Sequence, residues 1–157
     1  MKKYKSDYGR SMMEVLLYLG LIVVMVVSST KMYADYNEKI KRTKALDQLE
    51  NISEKVSQIY FGRTFGTEKI SLNEKLKQNN VSLIDPWGKN FDVMSDNNTK
   101  YHITITTNKA NCIHLAMNGE SKIQEPVVNN NLNTTSTPFT LCTDGNNNTV
   151  SFYYDIR

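Results

Sequence analysis

The sequence predicts an α+β fold in which one long N-terminal helix packs on a small C-terminal antiparallel sheet. Three patterns predict it. Residues 15–27 are uncharged and largely apolar, apolar residues recur three or four apart between 28 and 61, and apolar and polar residues alternate in short runs after residue 90. The first two patterns are typical of helix and the third of strands. With 157 residues, 39% of them apolar and 22% charged, the chain has room for one domain.

The apolar run is the first element. Alone it is short for a membrane-spanning helix, because crossing a hydrocarbon core of roughly 30 Å takes about 20 residues. Met12 and Met13 before it, and Ser28 to Thr30 after it, extend the predicted membrane segment to about residues 12–30. A secretory signal peptide is the alternative, since a basic start followed by a short apolar stretch fits that description too. Two features disfavour it: no good small-x-small cleavage site follows, and the helical pattern continues beyond the run.

The second element is an amphipathic helix that continues from the apolar run. Between Ser28 and Phe61 the sequence has no glycine or proline. Acidic residues precede basic ones by four positions at Asp35–Lys39 and Glu38–Arg42, which is the favourable order on a helix. We therefore predict one helix from Ser11 to Phe61. Its apolar stripe consists of Tyr33, Tyr36, Ile40, Leu46, Leu49, Ile52, Val56 and Ile59.

The following segment predicts a helix end, a short helix and a turn. Gly62 and Gly66 end the long helix. The string Ser71-Leu72-Asn73-Glu74 has the pattern of a capping box and predicts a helix to about Gln78. Asp85-Pro86-Trp87-Gly88 predicts a turn, because proline presets its own backbone angle and glycine permits a positive one. We expect Trp87 to fold back over the apolar core of the C-terminal part of the chain.

Four strands with one apolar face are predicted after the turn, and we expect them to lie on the helix as antiparallel hairpins. The segment Asn129 to Pro138 is polar and has no clear pattern, so we predict an exposed loop there. The runs that alternate are Phe91 and Val93; Tyr101, Ile103 and Ile105; Ile113, Leu115 and Met117; and Val150, Phe152 and Tyr154.

The N-terminus holds an unusual acid. Glu14 directly precedes the apolar run, and the string Gly9-Arg10-Ser11-Met12-Met13-Glu14 follows a short segment with three lysines. An ionisable group in a membrane segment is energetically costly, so its presence indicates a functional site. This arrangement resembles the cleavage and methylation signal of type IV prepilins and type II secretion pseudopilins. In those families a membrane peptidase cuts after the glycine and methylates the new amine, and a glutamate occupies the fifth mature position.

The resemblance implies three parts: a leader at residues 1–9, a spine helix at 10–61 with the membrane segment at about 12–30, and a pilin head at 62–157. It implies cleavage between Gly9 and Arg10, N-methylation of Arg10, and a role for Glu14 in filament assembly. Arg10 departs from the apolar residue that is common at the first mature position. The Pro-Trp-Gly turn at Trp87 is similar to that of type IVb pilins and major pseudopilins, and type IVb pilins are the better match.

Cys112 and Cys142 are the two cysteines, and both lie in the last third of the chain. A cysteine pair behind an export-type N-terminus indicates one disulfide outside the cytoplasm. The resemblance places such a bond around the C-terminal region of the pilin head. Two buried thiols without a bond are the alternative.

As a filament subunit, the chain would associate with copies of itself, the prepilin peptidase, an assembly platform and a motor ATPase. It would sit in the bacterial inner membrane with its N-terminus in the cytoplasm and its head in the periplasm. After assembly it would lie in an extracellular pilus or a periplasmic pseudopilus. The alternatives are a type II secretion pseudopilin and a Sec-exported or membrane-anchored binding protein.

Other functions have little support in the sequence. His102 and His114 are the only histidines, and no recognisable catalytic arrangement surrounds them, so no enzyme is expected. No cofactor is expected either: Asp85, Asp92, Asp96 and Asp144 offer oxygens to calcium, but no loop has calcium-ligand spacing. The net charge of +3 lies mostly in the leader and forms no basic stripe, so no nucleic-acid contact is expected.

Overall fold

The computed structural model describes residues 7–119, 126–132 and 138–156, with side chains for 12–119, 126–130 and 140–156. Two compact units, Met1–Ile40 and Lys41–Arg157, make up the chain. Helix α1 spans Asp7–Ile59 and belongs to both, so the boundary falls inside the helix. The predicted long helix is confirmed, although it begins before Ser11 and ends two residues before Phe61. The predicted leader and spine boundary at residues 9 and 10 lies within this helix, and residues 1–6 lie outside the described part.

The second unit begins with the amphipathic part of α1. Ala45, Leu49, Ile52 and Val56 are buried there, at the spacing of one helical face. The helix ends as predicted: Gly62 adopts a φ of +69°, a left-handed conformation that is accessible to glycine at little cost.

Within the described residues, the remaining elements are five strands and three short helices, which form the head. These are α2 Asn73–Gln78, β1 Asp92–Ser95, β2 Lys100–Thr107, α3 Lys109–Asn118, β3 Val127–Val128, β4 Asn131–Leu132, α4 Pro138–Leu141 and β5 Asn148–Asp155. The sheet order is β1-β2-β5-β3-β4, and every pairing between neighbours is antiparallel. The predicted α+β architecture is therefore confirmed, with five strands in place of four.

The central pair β2 and β5 determines which face of the sheet is buried. Tyr101 lies opposite Tyr154, Ile103 opposite Phe152, and Ile105 opposite Val150. All six side chains are buried and belong to one core with the apolar face of α1. Alternate residues point to opposite faces of a strand, so the period-two pattern correctly predicted these inward positions.

The predicted strand at Ile113, Leu115 and Met117 is wrong, because this segment forms helix α3. The side chain of Asn108 accepts a hydrogen bond from the backbone N–H of Asn111, which is the contact of an N-cap. Cys112, Leu115 and Ala116 then follow with helical spacing and are buried. Of the three residues in the predicted alternation, only Leu115 is fully buried in this helix, and Met117 is 59% exposed.

The predicted loop from Asn129 to Pro138 is also wrong in its first part. Asn129 and Asn130, with φ values of +48° and +64°, connect β3 and β4 as a two-residue hairpin. Asparagine tolerates positive φ better than most residues do, which explains this pair. Pro138 begins α4. Residues 133–137 lie outside the described part of the chain.

The predicted capping box does not form. Ser71 instead makes an isolated bridge with Met94 at the sheet edge, and α2 begins at Asn73 with no side-chain cap. The side-chain oxygen of Asn73 accepts from the backbone N–H of Val93 at 3.0 Å. The backbone of Ser71 and the side chain of Asn73 therefore both contact β1, and α2 has no side-chain cap.

The Asp-Pro-Trp-Gly turn forms as predicted. One carboxylate oxygen of Asp85 accepts hydrogen bonds from the backbone N–H groups of Trp87 at 2.9 Å and Lys89 at 2.8 Å. Gly88 has a φ of +84°. Trp87 is half-buried and packs against the core, as expected.

Candidate membrane and assembly site

The apolar part of α1 is exposed on every side within its unit. The large side chains from Met12 to Val27 are between 49% and 72% exposed, with Leu21 the least and Met12 the most exposed. An aqueous surface rarely carries so large an apolar patch. Within the described residues, α1 is long and apolar enough to span a membrane. Its most apolar stretch of 18 residues has a mean hydropathy of 2.2. The segment is thus compatible with a membrane anchor.

Three hydroxyl groups close this segment, and each is satisfied within the helix. Ser28 donates to the carbonyl of Val24 at 2.8 Å, and Ser29 donates to that of Met25 at 2.7 Å. Thr30 donates to the carbonyl of Val27 at 2.9 Å. These side chains therefore present no free hydrogen-bond donor to their surroundings.

Glu14 lies at the other end of the apolar segment. It is exposed, and its neighbours Met13 and Val15 are 70% and 54% exposed. Gly9 and Arg10 lie in the first helical turn of α1, and the side chain of Arg10 is outside the described part. Glu14 follows Arg10 by about one turn of α1. Cleavage, methylation and assembly at these residues stay predictions.

The predicted disulfide is present. Cys112 in α3 and Cys142 directly after α4 are joined, with a Cα–Cα distance of 6.0 Å. Their exposed fractions are 0% and 2%, so solvent does not reach the bond in the folded head. The bond encloses β3, β4 and α4, and a loop of 30 residues is long enough for the constraint on the unfolded chain to be large.

An asparagine network holds the ends of the disulfide loop, and the sequence analysis missed it. The side-chain oxygen of Asn148 accepts from the backbone N–H of Thr143 at 2.7 Å and from the side chain of Asn129 at 3.0 Å. Its amide nitrogen donates to the carbonyl of Thr143 at 2.9 Å. Asn129 in turn donates to the carbonyl of Leu141 at 2.9 Å. Asparagines are so frequent in this chain that composition gives no signal for these two.

Arg42 links α1 to α3, and the sequence assigned it only to a surface pair with Glu38. Its Nε donates to the side-chain oxygen of Asn111 at 2.7 Å. Asn111 is fully buried next to Cys112. Burial, and secondarily the positive charge of Arg42, lower the pKa of His114 on the next turn of α3. This partly buried hydrogen bond thus holds α3 against α1.

The four aspartates considered for calcium are engaged with separate protein groups. Asp85 holds the tryptophan turn, and Asp92 accepts from Asn73 at 3.2 Å. Asp96 contacts Nδ1 of His102 at 2.9 Å, and Asp144 pairs with Lys109 at 2.8 Å. No group of three or more His, Cys, Asp or Glu with metal-binding geometry occurs among the described residues. The expectations of no cofactor and no enzymatic activity stay predictions.

No protein-family model and no curated protein matches this chain.

Proposed function

We propose that this protein is the structural subunit of a type IV pilus-like filament, anchored in the bacterial inner membrane before assembly. One observation carries the proposal: Glu14 directly precedes thirteen uncharged, largely apolar residues of α1 whose large side chains are exposed on all sides. An anchor needs no such acid, whereas a helix that must align with identical helices has a use for it.

The proposed mechanism begins with proteolysis. The prepilin peptidase removes residues 1–9 and methylates the new amine of Arg10. The carboxylate of Glu14 is poorly solvated at the edge of hydrocarbon, and a charge within the segment costs at least about 2.5 kcal/mol on insertion scales. The terminal amine of a neighbouring subunit offsets this cost, because a charge in an apolar environment persists when it is paired. Pairing therefore selects the axial register between subunits.

The apolar side chains of residues 15–27 then hold the filament together. They exchange lipid contacts for contacts with the same segment in neighbouring copies, where close van der Waals packing stabilises the assembly. The head remains outside the filament core, and its disulfide preserves it on the oxidising side of the membrane. A platform protein and a motor ATPase drive assembly from the membrane and the cytoplasm.

Intact-mass analysis of protein purified from the membrane tests processing. We expect loss of nine residues and the gain of one methyl group on Arg10. Recovery of the full-length chain would contradict the proposal. Removal of the entire apolar run would instead support a Sec-exported protein.

Assembly is tested by Glu14→Ala, with Asp35→Ala as the matched control. Asp35 is an exposed acid on the same helix beyond the apolar run. We expect Glu14→Ala to insert and be processed but to yield few filaments, while Asp35→Ala assembles normally. Equal filament yields from the two variants would refute the pairing mechanism.

Electron microscopy distinguishes a pilus from a pseudopilus. Fibres that extend from the cell surface at normal expression support the pilus. Short fibres confined to the periplasm would instead support the type II secretion pseudopilin.

A further inference from the structure

The C-terminal end of the apolar segment is defined by hydrogen bonds as well as by hydrophobicity. In hydrocarbon a hydroxyl without a partner is costly, because no water replaces its lost hydrogen bond. Ser28, Ser29 and Thr30 avoid that cost, since each donates to a carbonyl of the preceding turn at 2.7–2.9 Å. These three residues therefore suit hydrocarbon as they stand.

Together with Met12, Met13 and Glu14 before the apolar run, these three residues give a candidate membrane segment of 19 residues, Met12–Thr30. At 1.5 Å per residue such a helix is about 28 Å long, close to the roughly 30 Å of a bilayer's hydrocarbon core. Lys31, the first charged residue after Glu14, follows immediately and is exposed. The hydrocarbon boundary thus falls at Thr30 and Lys31.

Two tyrosines stand just beyond this boundary. Tyr33 is 68% exposed and Tyr36 is 61% exposed, and residues three apart are neighbours on a helix surface. Tyr33 lines a shallow groove together with Met25, Val26, Ser29 and Thr30. Side chains on a helix lean toward its N-terminus, so this ring lies back over the last turn of the apolar segment.

We propose that Tyr33 and Tyr36 lie in the headgroup layer of the membrane and fix the depth of the helix. Tyrosine is enriched in that layer because its ring is apolar and its hydroxyl is polar. The proposal rests on the membrane anchoring in the proposed function, and it adds the register of the helix in the bilayer. It places Glu14 within the opposite edge of the hydrocarbon and the residues after Tyr36 in water.

The hydroxyl contacts favour lipid over a second copy of the chain as the occupant of this face before assembly. Serine and threonine at helix–helix contacts in membranes can donate across the interface. Here all three donate to their own helix, which leaves them no donor for a partner helix and suits a lipid environment.

Fluorescence quenching by brominated lipid tests the proposal in the full-length chain. The variants Tyr33→Trp and Tyr18→Trp are reconstituted in phosphatidylcholine vesicles. One set carries bromine near the headgroup end of the acyl chains, and another carries it near the methyl end. Tyr18 lies inside the apolar run and is 65% exposed, so it is the matched deep control. The wild-type protein, with its single Trp87 in the head, supplies the emission to subtract.

We expect the tryptophan at position 33 to lose more emission with the shallow bromine than with the deep one. The order should reverse for position 18. Equal or deeper quenching at position 33, or none at all, overturns the proposed register while quenching at position 18 still supports anchoring. Absence of quenching at position 18 shows that anchoring itself fails. If quenching at position 33 weakens as the protein-to-lipid ratio rises, a second copy of the chain covers this face. That result also overturns the proposal.

Discussion

The hydroxyl of Tyr101 in β2 donates a hydrogen bond to the backbone carbonyl of Ser53 in α1 at 3.0 Å. This contact joins the sheet to the amphipathic part of the helix within the head. The Tyr101 ring also packs edge-on against Phe65, with centroids 5.9 Å apart, and stacks on Tyr154 at 5.5 Å. The position therefore combines burial, aromatic contacts and hydrogen bonding to α1.

Replacing Tyr101 with phenylalanine removes this hydrogen bond and keeps the ring. We expect the free energy of unfolding to fall by about 1 kcal/mol, the usual net value of one hydrogen bond. Urea unfolding of the full chain in mild detergent measures it. Tyr36→Phe, which removes an exposed hydroxyl from the other unit, is the control and should leave head stability unchanged. A variant as stable as wild type would show that the bond contributes nothing.

The same residue predicts a loss of stability in alkali. Burial is the main cause that raises the pKa of Tyr101 from 10.0 to about 12, against the opposing hydrogen bonds to Ser57 and Ser53. Between pH 10 and 12 the unfolded chain releases the phenolic proton and the folded chain retains it. The free energy of unfolding therefore falls by roughly 1 kcal/mol per pH unit in this window. Because Tyr101→Phe lacks this effect, its stability should decline less steeply; equal slopes would refute the shift.

His114 is expected to make the folded chain less stable in acid. Burial and the charge of Arg42 lower its pKa from 6.5, so below that pH the unfolded chain binds the proton more readily than the folded one. The contribution of His114 to stability is therefore fully present above pH 6.5 and falls as the pH drops below it. We expect His114→Gln to flatten this part of the pH profile of the unfolding midpoint. His102→Gln is the control for the other histidine and should leave the contribution of His114 in place.

Gly119 is predicted to tolerate no side chain. A Cβ there would overlap the ring of Phe152 and lie 2.7 Å from the carbonyl oxygen of Leu115. Overpacking of this kind typically costs about 1 to 3 kcal/mol, so Gly119→Ala should lower the unfolding midpoint of the head. Gly20→Ala is the control, because a Cβ at Gly20 meets nothing within 4 Å. Similar midpoints for the two variants would show that the core accommodates the methyl group.

Asn148 is predicted to matter far more than its neighbour Asn147. It is 1% exposed, and its replacement by alanine leaves the backbone N–H of Thr143 without its acceptor. The substitution also removes the bonds to the Thr143 carbonyl and to the Asn129 side chain, and each lost hydrogen bond costs roughly 0.5 to 1.5 kcal/mol. Thermal unfolding of Asn148→Ala and of the control Asn147→Ala, which changes an exposed residue, measures the difference. Equal stability of these variants would mean that the loop ends are held by the disulfide alone.

Local pattern sufficed for the amphipathic part of α1 and for β2 and β5, where one face meets the core and the other meets water. The helix stripe through Leu49, Ile52 and Val56 and the alternation of β2 and β5 are both of this kind. Pattern failed at α3, where alternating Ile113, Leu115 and Met117 fitted a strand as well as a helix. The N-cap at Asn108 and the burial of Cys112 in the core favour the helix over the strand.

The sequence by itself determined the apolar segment with Glu14 just before it, the long helix and the tryptophan turn. It also determined which residues of β2 and β5 face the core. These depend on composition and on spacing within one segment, which folding does not alter. Only the tertiary structure decided that Arg42 holds Asn111, that Asn129 and Asn148 close the disulfide loop, and that Ser71 joins the sheet edge. These contacts join residues far apart in sequence, and a polar side chain has many possible partners until the fold brings one within hydrogen-bond distance.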